Sequence, residues 1–347
     1  MERQLPLLAL PAVADGARRS ALSAALFAAW RDCGFVGITD HGIPEGQVRA
    51  ALAAARDFFA LPAEVKQRYE VAGGAGQRGY TRFGVEKAKD QRQPDLKEFW
   101  HVGREVGRDD PLAAILLPNL WPREVPHFEP ALRALFDSLE RLGGRLLELL
   151  EPALGLPSGW FAPRIARGNS ILRPLHYPPL PAPRASEGGG AVAPRTGGGA
   201  VAPRAVESAA AVRAAAHEDI NLITLLVGSD EPGLEIAARD GTWWAVTTVP
   251  GTIVVNVGDM LQRLTNGVLP STTHRVVNPP PPWDARSRYS IPFFLHFEPD
   301  VVIEPLPSCV GPDRPPRWPA PIRAHDYLLE RLREIGLRPG GGGKTAV

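Results

Sequence analysis

The second half of the chain carries short β-rich runs, Asn221 to Val227, Thr242 to Thr248, Thr252 to Asn256, Thr272 to Val277 and Ser290 to His296, separated by Gly, Pro and Asn turns. Runs this short, bounded by turn residues, read as strands, and their spacing predicts an antiparallel barrel or a double-sheet jelly roll over residues 168–305. The first 125 residues follow another rhythm. Leu22, Leu26, Ala29, Trp30 and Cys33 recur at helical spacing over residues 20–33, with Ser20 as N-cap and Gly34 as stop. Phe35 to Thr39 reads as a strand, Asp40-His41-Gly42-Ile43-Pro44 as a turn into a second helix carrying Val48, Leu52, Ala55, Phe58 and Phe59, and Pro62 opens a third. Within a connecting segment, 126–167, a stripe of Leu132, Leu135, Phe136, Leu139, Leu142, Leu146 and Leu150 predicts a long helix from about Pro130 that lies against the sheet. A last helix, Ala324 to Ile335, falls in a C-terminal part, 306–347, that ends in a Gly run. The expected fold class is mixed α/β (α+β): a double-stranded β-helix core of the jelly-roll, cupin-like type, with a helical N-terminal region and supporting helices.

Composition narrows the function. With 39 Lys and Arg against 38 Asp and Glu in 347 residues, no excess charge attracts nucleic acid or an anionic membrane, and no apolar run is long enough to span a bilayer. A small-molecule partner and a monomer are the expectation. Cys33 and Cys309 stand far apart, which fits a reducing, cytoplasmic compartment. The apolar start, Leu5 to Ala14, resembles a signal peptide, but Pro6 and Pro11 interrupt it and the basic flank is only Arg3 beside Glu2. Of residues 181–213, 20 of 33 are Gly, Ala or Pro, and the octet Gly-Gly-Gly-Ala-Val-Ala-Pro-Arg occurs at 188–195 and again at 197–204. So little bulky apolar surface predicts a disordered insertion between two strands, with a lid as the alternative.

Eight histidines are present, and only context selects among them. In Ala216-His217-Glu218-Asp219-Ile220, an H-x-D pair opens a strand-like run, so alternation would aim His217 and Asp219 at one face and Glu218 at the other. His274, from another strand, would complete a set of two histidines and one carboxylate. That set leaves coordination positions open, as in non-haem iron(II) oxygenases, although zinc also accepts it. Arg288-Tyr289-Ser290 then aims a guanidinium and a hydroxyl at one face, a pair suited to the far carboxylate of a dicarboxylic 2-oxoacid.

These residues, in this order, resemble the isopenicillin N synthase-like family of 2-oxoglutarate/Fe(II)-dependent dioxygenases. The N-terminal region, 1–125, resembles the family's non-haem dioxygenase N-terminal domain through Trp30-Arg31-Asp32-Cys33-Gly34-Phe35, Asp40-His41-Gly42-Ile43-Pro44 and Phe58-Phe59-Ala60-Leu61-Pro62. Residues 168–305 resemble its catalytic domain through Leu172-Arg173-Pro174-Leu175-His176-Tyr177-Pro178-Pro179, the H-x-D segment, Asn256-Val257-Gly258-Asp259, the His274 segment and Arg288-Tyr289-Ser290. The resemblance implies His217, Asp219 and His274 as Fe(II) ligands and Arg288, Ser290 and Tyr177 as contacts of 2-oxoglutarate. It further implies O2 as oxidant, ascorbate as a stimulant, and hydroxylation, desaturation or ring closure of a metabolite, often in secondary metabolism, coupled to formation of succinate and CO2. Relatives that oxidise without 2-oxoglutarate keep the same triplet, and a non-enzymatic binding module remains a third reading. Leu175-His176 replaces the Asn-Tyr of many plant relatives, so an asparagine contact is missing. Phe294 matches a position that often lines the substrate pocket, and the segment with Tyr80, Arg82 and Phe83, like the run Asp95 to Trp100, is expected at the pocket mouth. Two phosphate-loop look-alikes, Gly74 to Gly79 and Gly343-Lys344-Thr345, lack the strand and helix such loops require.

Overall fold

The computed structural model describes residues 3–11, 16–72, 76–86, 95–179, 212–228 and 231–334. The expected insertion at 181–213, apart from Val212 and Arg213, and the C-terminal Gly run lie outside the described residues. The elements run β1 (Leu7–Ala9), α1 (Gly16–Cys33), β2 (Phe35–Thr39), α2 (Glu45–Phe59), α3 (Ala63–Gln67), β3 (Gly79–Thr81), β4 (Glu98–Gly103), α4 (Phe128–Leu150) and α5 (Ala162–Ile165). They continue with β5 (Ile171–Leu172), β6 (Leu175–Tyr177), β7 (Ala214–His217), β8 (Ile223–Val227), β9 (Leu234–Ala237), β10 (Trp243–Ala245), β11 (Ile253–Val257), α6 (Asp259–Leu264), β12 (His274–Val276), β13 (Arg288–Leu295) and α7 (Ala324–Glu334).

Two sheets form the core. The larger has the order β1-β2-β11-β8-β13-β5-β4-β3, with β6 beside β13 and β4, and the smaller has the order β10-β9-β12-β7. Phe35 and Val254 of the larger sheet pack with Leu234 and Ile236 of the smaller, while Phe99, Leu175 and Tyr177 pack with Ala214 and Val276. The two sheets therefore face each other as in a jelly roll. On the outer face of the large sheet lies α4, whose leucine stripe is buried and whose Phe136 meets Phe293 of β13 edge-on at 5.0 Å. Each fully buried leucine of that stripe contributes about 1.5–3 kcal/mol of apolar burial. The first 125 residues do not fold apart: β2 pairs with β11, Ile38 opposite Ile253, and β4 pairs with β5 and β6.

Several local expectations change. Helix α1 starts at Gly16, ahead of Ser20, whose hydroxyl donates back to the Gly16 carbonyl at 3.0 Å instead of capping. Its end is as read: Gly34 sits at φ +75°, and a Cβ there would collide with Thr272 Oγ1. The strand expected from Asn221 starts at Ile223, because the Asn221 amide donates to the Ile223 carbonyl at 2.9 Å and to Thr224 Oγ1 at 3.0 Å and so turns the chain before the ladder begins. The run from Thr242 shortens to Trp243–Ala245.

Candidate metal centre and active cavity

His217 ends β7, His274 begins β12, and the two stand directly opposite in the antiparallel register with ring centroids 4.4 Å apart. Asp219 follows outside the strand, where the chain crosses from the small sheet to the large one. The H-x-D pair thus closes a strand instead of opening one, and its side chains converge through the corner, not through strand alternation. Glu218, expected to face away, also reaches the cavity, where its Oε1 accepts from the Thr273 hydroxyl at 3.0 Å.

His217 Nε2 lies 3.7 Å and His274 Nε2 3.9 Å from Asp219 Oδ1. These separations are too long for hydrogen bonds, and the ligand atoms all fall within 4.8 Å of one another, close enough to meet on one ion. Every other polar atom of the trio is engaged elsewhere. His217 Nδ1 donates to the Ala215 carbonyl at 2.7 Å and His274 Nδ1 to the Thr272 carbonyl at 3.1 Å, which leaves each Nε2 lone pair for the centre. Asp219 Oδ2 accepts from Thr224 Oγ1 at 2.6 Å and Asn256 Nδ2 at 2.8 Å, which turns Oδ1 inward. Outer partners of this kind fix ligand orientation in metal sites. Burial pushes the His217 imidazole down to about 4, and the adjacent His274 acts in the same sense. Burial alone would lift the Asp219 carboxyl, but the two imidazoles and the Asn256 and Thr224 donors hold it below its ordinary range. A neutral ring and an ionised carboxylate are the forms that bind a metal at neutral pH. The residues fit the ion.

The same cavity, about 510 Å³, is lined by Arg288, Ser290 and Tyr177. Arg288 and Ser290 share a face of β13, Nη1 to Oγ 3.5 Å, and Tyr177 of β6 lies opposite Arg288 in the register with its ring 5.2 Å from the guanidinium carbon. Arg288 is 1% exposed, and a guanidinium that deeply buried beside a cavity suits an anionic carboxylate. Tyr289 turns to the other side and stacks on His176 at 4.7 Å. Leu175, in place of the missing asparagine, gives the cavity an apolar wall.

The substrate-side expectations divide. Phe294 lines the cavity, as do Asp95 and Lys97. Tyr80, Arg82 and Phe83 do not: Tyr80 is buried in the core with its hydroxyl donating to Glu98, Arg82 pairs outside with Glu70 at 3.6 Å, and Phe83 is 47% exposed. Strand β3 lies at the edge of the large sheet beyond β4, and from this segment it is Gln77, ahead of β3, that lines the cavity. Unforeseen were Asn256 and Thr224, and also Glu86, Arg173 and His296, all of which line the cavity. The Asn256-Val257-Gly258-Asp259 match and the Leu172 to Pro179 match contained Asn256 and Arg173 without giving either a role.

Comparison with known proteins agrees with this geometry. Residues 5–124 match the family described as non-haem dioxygenase in morphine synthesis N-terminal, and residues 169–297 match the 2OG-Fe(II) oxygenase superfamily. A 2-oxoglutarate-Fe(II) type oxidoreductase of Emericella nidulans is 32% identical over 323 residues, covering 90% of this chain and 84% of the relative. A 2OG-Fe(II) oxygenase family protein from Caulobacter crescentus superposes with a TM-score of 0.81 at 41% identity, covering 95% of this chain and 99% of that one. A full-length Neurospora crassa protein, solved in complex with alpha-KG (2-oxoglutarate) and thymine, superposes with a TM-score of 0.78 at 26% identity over 95% of this chain and 96% of its own. The chain belongs to the 2OG-Fe(II) oxygenase superfamily, in its isopenicillin N synthase-like branch. It is a 2-oxoglutarate- and Fe(II)-dependent dioxygenase.

Proposed function

We propose that His217, Asp219 and His274 hold the Fe(II), that Arg288, Ser290 and Tyr177 hold the far carboxylate of 2-oxoglutarate, and that the enzyme oxidises a small metabolite seated against Phe294. The observation that carries this is the convergence of both residue sets on one cavity. Bound Fe(II) and 2-oxoglutarate supply the oxidising chemistry, in which O2 is consumed and 2-oxoglutarate becomes succinate and CO2. The chain's own part is positional. The ladder between β7 and β12 fixes the two imidazoles, Thr224 and Asn256 aim the carboxylate, and Arg288 with Ser290 sets the far end of the cosubstrate. Holding reactants in one geometry is worth several kcal/mol of barrier. Leu175, Ile171 and Pro292 supply apolar wall that limits water. The free thiols Cys33 and Cys309 support a cytoplasmic setting.

Loss of a charge-assisted pair costs about 1.5–3 kcal/mol, so Arg288→Met should raise the KM for 2-oxoglutarate about 10- to 100-fold while bound iron, read by metal analysis, stays at one per chain. An unchanged KM would move the carboxylate site elsewhere.

A further inference from the structure

Beside Arg288 stands a second guanidinium that the cosubstrate site has not yet used. Arg213, immediately ahead of β7, is 0% exposed, and its guanidinium carbon lies 5.9 Å from the ring centroid of Tyr177, the same ring that Arg288 approaches at 5.2 Å. Its Nη2 donates to the Arg286 carbonyl at 3.1 Å, whereas Nε and Nη1 are buried with no hydrogen-bond partner among the described residues. Glu231 and Asp284 pull on this charge only from a distance, and the buried Glu231 Oε2 itself accepts no hydrogen bond. Burial lowers the guanidinium below its ordinary range, and Arg288 pushes in the same direction. Position matters as much as charge. Arg213 leads into the strand that ends at His217, and Arg286 leads into β13, which carries Arg288 and Ser290; β7 and β13 belong to different sheets, so this hydrogen bond ties the metal-bearing strand to the anion-binding one.

An arginine does not shed its charge. Folding has therefore enclosed one cation beside another, which is costly until an anion answers it. Arg213 is not part of the cavity wall and its Nε and Nη1 are sealed, so no ligand in the cavity touches them. A field crosses a gap that contact cannot: at an effective dielectric constant of about 20, a unit charge about 8–15 Å away still changes the affinity for an anion about five- to thirtyfold. We propose that Arg213 is a positioning residue of the cosubstrate site, a buried second cation that draws the far carboxylate of a dicarboxylic 2-oxoacid onto Arg288 and Ser290 without touching it. This rests on Arg288, Ser290 and Tyr177 being the cosubstrate site. A 2-oxoacid with an uncharged far end gains nothing from this field, so Arg213 also strengthens the preference for a dicarboxylic acid.

The test is calorimetric titration of the full-length chain, loaded anaerobically with Fe(II), with 2-oxoglutarate and with 2-oxopentanoate, whose far end carries no charge. Arg213→Met should weaken 2-oxoglutarate binding about five- to thirtyfold, Arg213→Lys should restore most of that affinity because it keeps the charge, and neither should weaken 2-oxopentanoate. Bound iron should stay at one per chain in both variants. In the metal-free chain without ligand, Arg213→Met should leave Tm equal or higher, since it removes a buried cation that no anion there answers; a residue that merely held β7 in place would lower Tm and iron content together. Unchanged affinity for 2-oxoglutarate in Arg213→Met, a loss that Arg213→Lys does not restore, an equal loss for 2-oxopentanoate, or a fall in Tm with loss of iron would each overturn the inference. Wild-type affinity for 2-oxoglutarate in Arg288→Met would instead bring down the cosubstrate site on which the role of Arg213 rests.

Discussion

His296 is 5% exposed on the cavity wall, and burial pushes its imidazole from 6.5 down to about 4 although Asp219 pulls the other way. The unfolded chain takes up this proton as pH falls through about 6.5, whereas the folded chain refuses it until about 4. The stability that His296 contributes is therefore complete above about 6.5 and is lost between there and 4. Between pH 7 and pH 5 the loss is about 2 kcal/mol for this ring. In denaturant titrations of the metal-free protein, wild type should lose about 2 kcal/mol more between those pH values than His296→Gln does, and equal losses would mean that the ring is not held neutral. Asp259 acts in the opposite sense, since burial raises it to about 7 and the folded chain gains from its proton as pH falls below that. His217 and His101, also lowered by burial, act in the same sense as His296, so the comparison with His296→Gln isolates one ring among several, and the lowered carboxyls Asp219, Glu86 and Glu98 come in at lower pH. At this scale the sequence disclosed the residues whose chemistry is rare in combination, His217, Asp219, His274, Arg288 and Ser290. Thr224 and Glu86 stayed hidden because their identities are commonplace, and Asn256 and Arg173 lay inside matched stretches without a role, because what they do depends on partners 37 and 87 residues away along the chain, Asp219 and Glu86.

Asp219 owes its position to two elements that meet beneath it. The first turn of α6 donates three successive backbone N–H groups into the crossing between β7 and β8: Gly258 to Leu222 at 2.9 Å, Asp259 to Asp219 at 2.8 Å and Met260 to Asn221 at 3.0 Å. Helix N-termini need such acceptors, and here the acceptors are the carbonyls of the metal-bearing corner. A Cβ on Gly258 would strike both the Asn221 backbone oxygen and its side-chain oxygen. Backbone cannot yield as a flexible side chain can, so Gly258→Ala should cost about 3 kcal/mol of stability and lower Fe(II) affinity together, read as a drop in Tm and in iron retained through gel filtration. Retention of both would show that the corner is not braced by α6. The elements themselves were readable where one face is apolar over many turns, as in α4, or where Gly and Pro bound a run, as in β2. Boundaries failed where a side chain competes for the backbone, as Asn221 does before β8, and the face assigned to Glu218 failed because alternation was extended past the end of β7 into a corner.

Across the whole molecule, the N-terminal region supplies both flanks of the central strands. Strand β2 covers the edge of β11 along Ile253 to Asn256, and β4 covers β5 and β6 on the other side. The same region reaches into the cavity through Phe35, Glu86, Asp95 and Lys97, and the Phe35 ring lies edge-on to His274 with centroids 5.5 Å apart. Matches to family models divide this chain into 5–124 and 169–297, but sheet pairing makes the two halves one folding unit. Removing the first would leave β11 with an unpaired edge, strip buried Phe35, Phe58 and Trp100 from their packing, and free the unpaired edge for aggregation. A fragment spanning residues 126–347, which keeps α4 and all three proposed iron ligands, should therefore show no cooperative transition in calorimetry, no near-ultraviolet circular dichroism and no Fe(II) binding. A sharp transition with bound iron would show that the catalytic half stands alone. The division of labour is incomplete: the ladder between β7 and β12 contains none of the N-terminal residues, but Asp95, paired with Lys97, accepts the Ala215 N–H of β7 at 3.1 Å, so the N-terminal wall also braces the strand that carries His217.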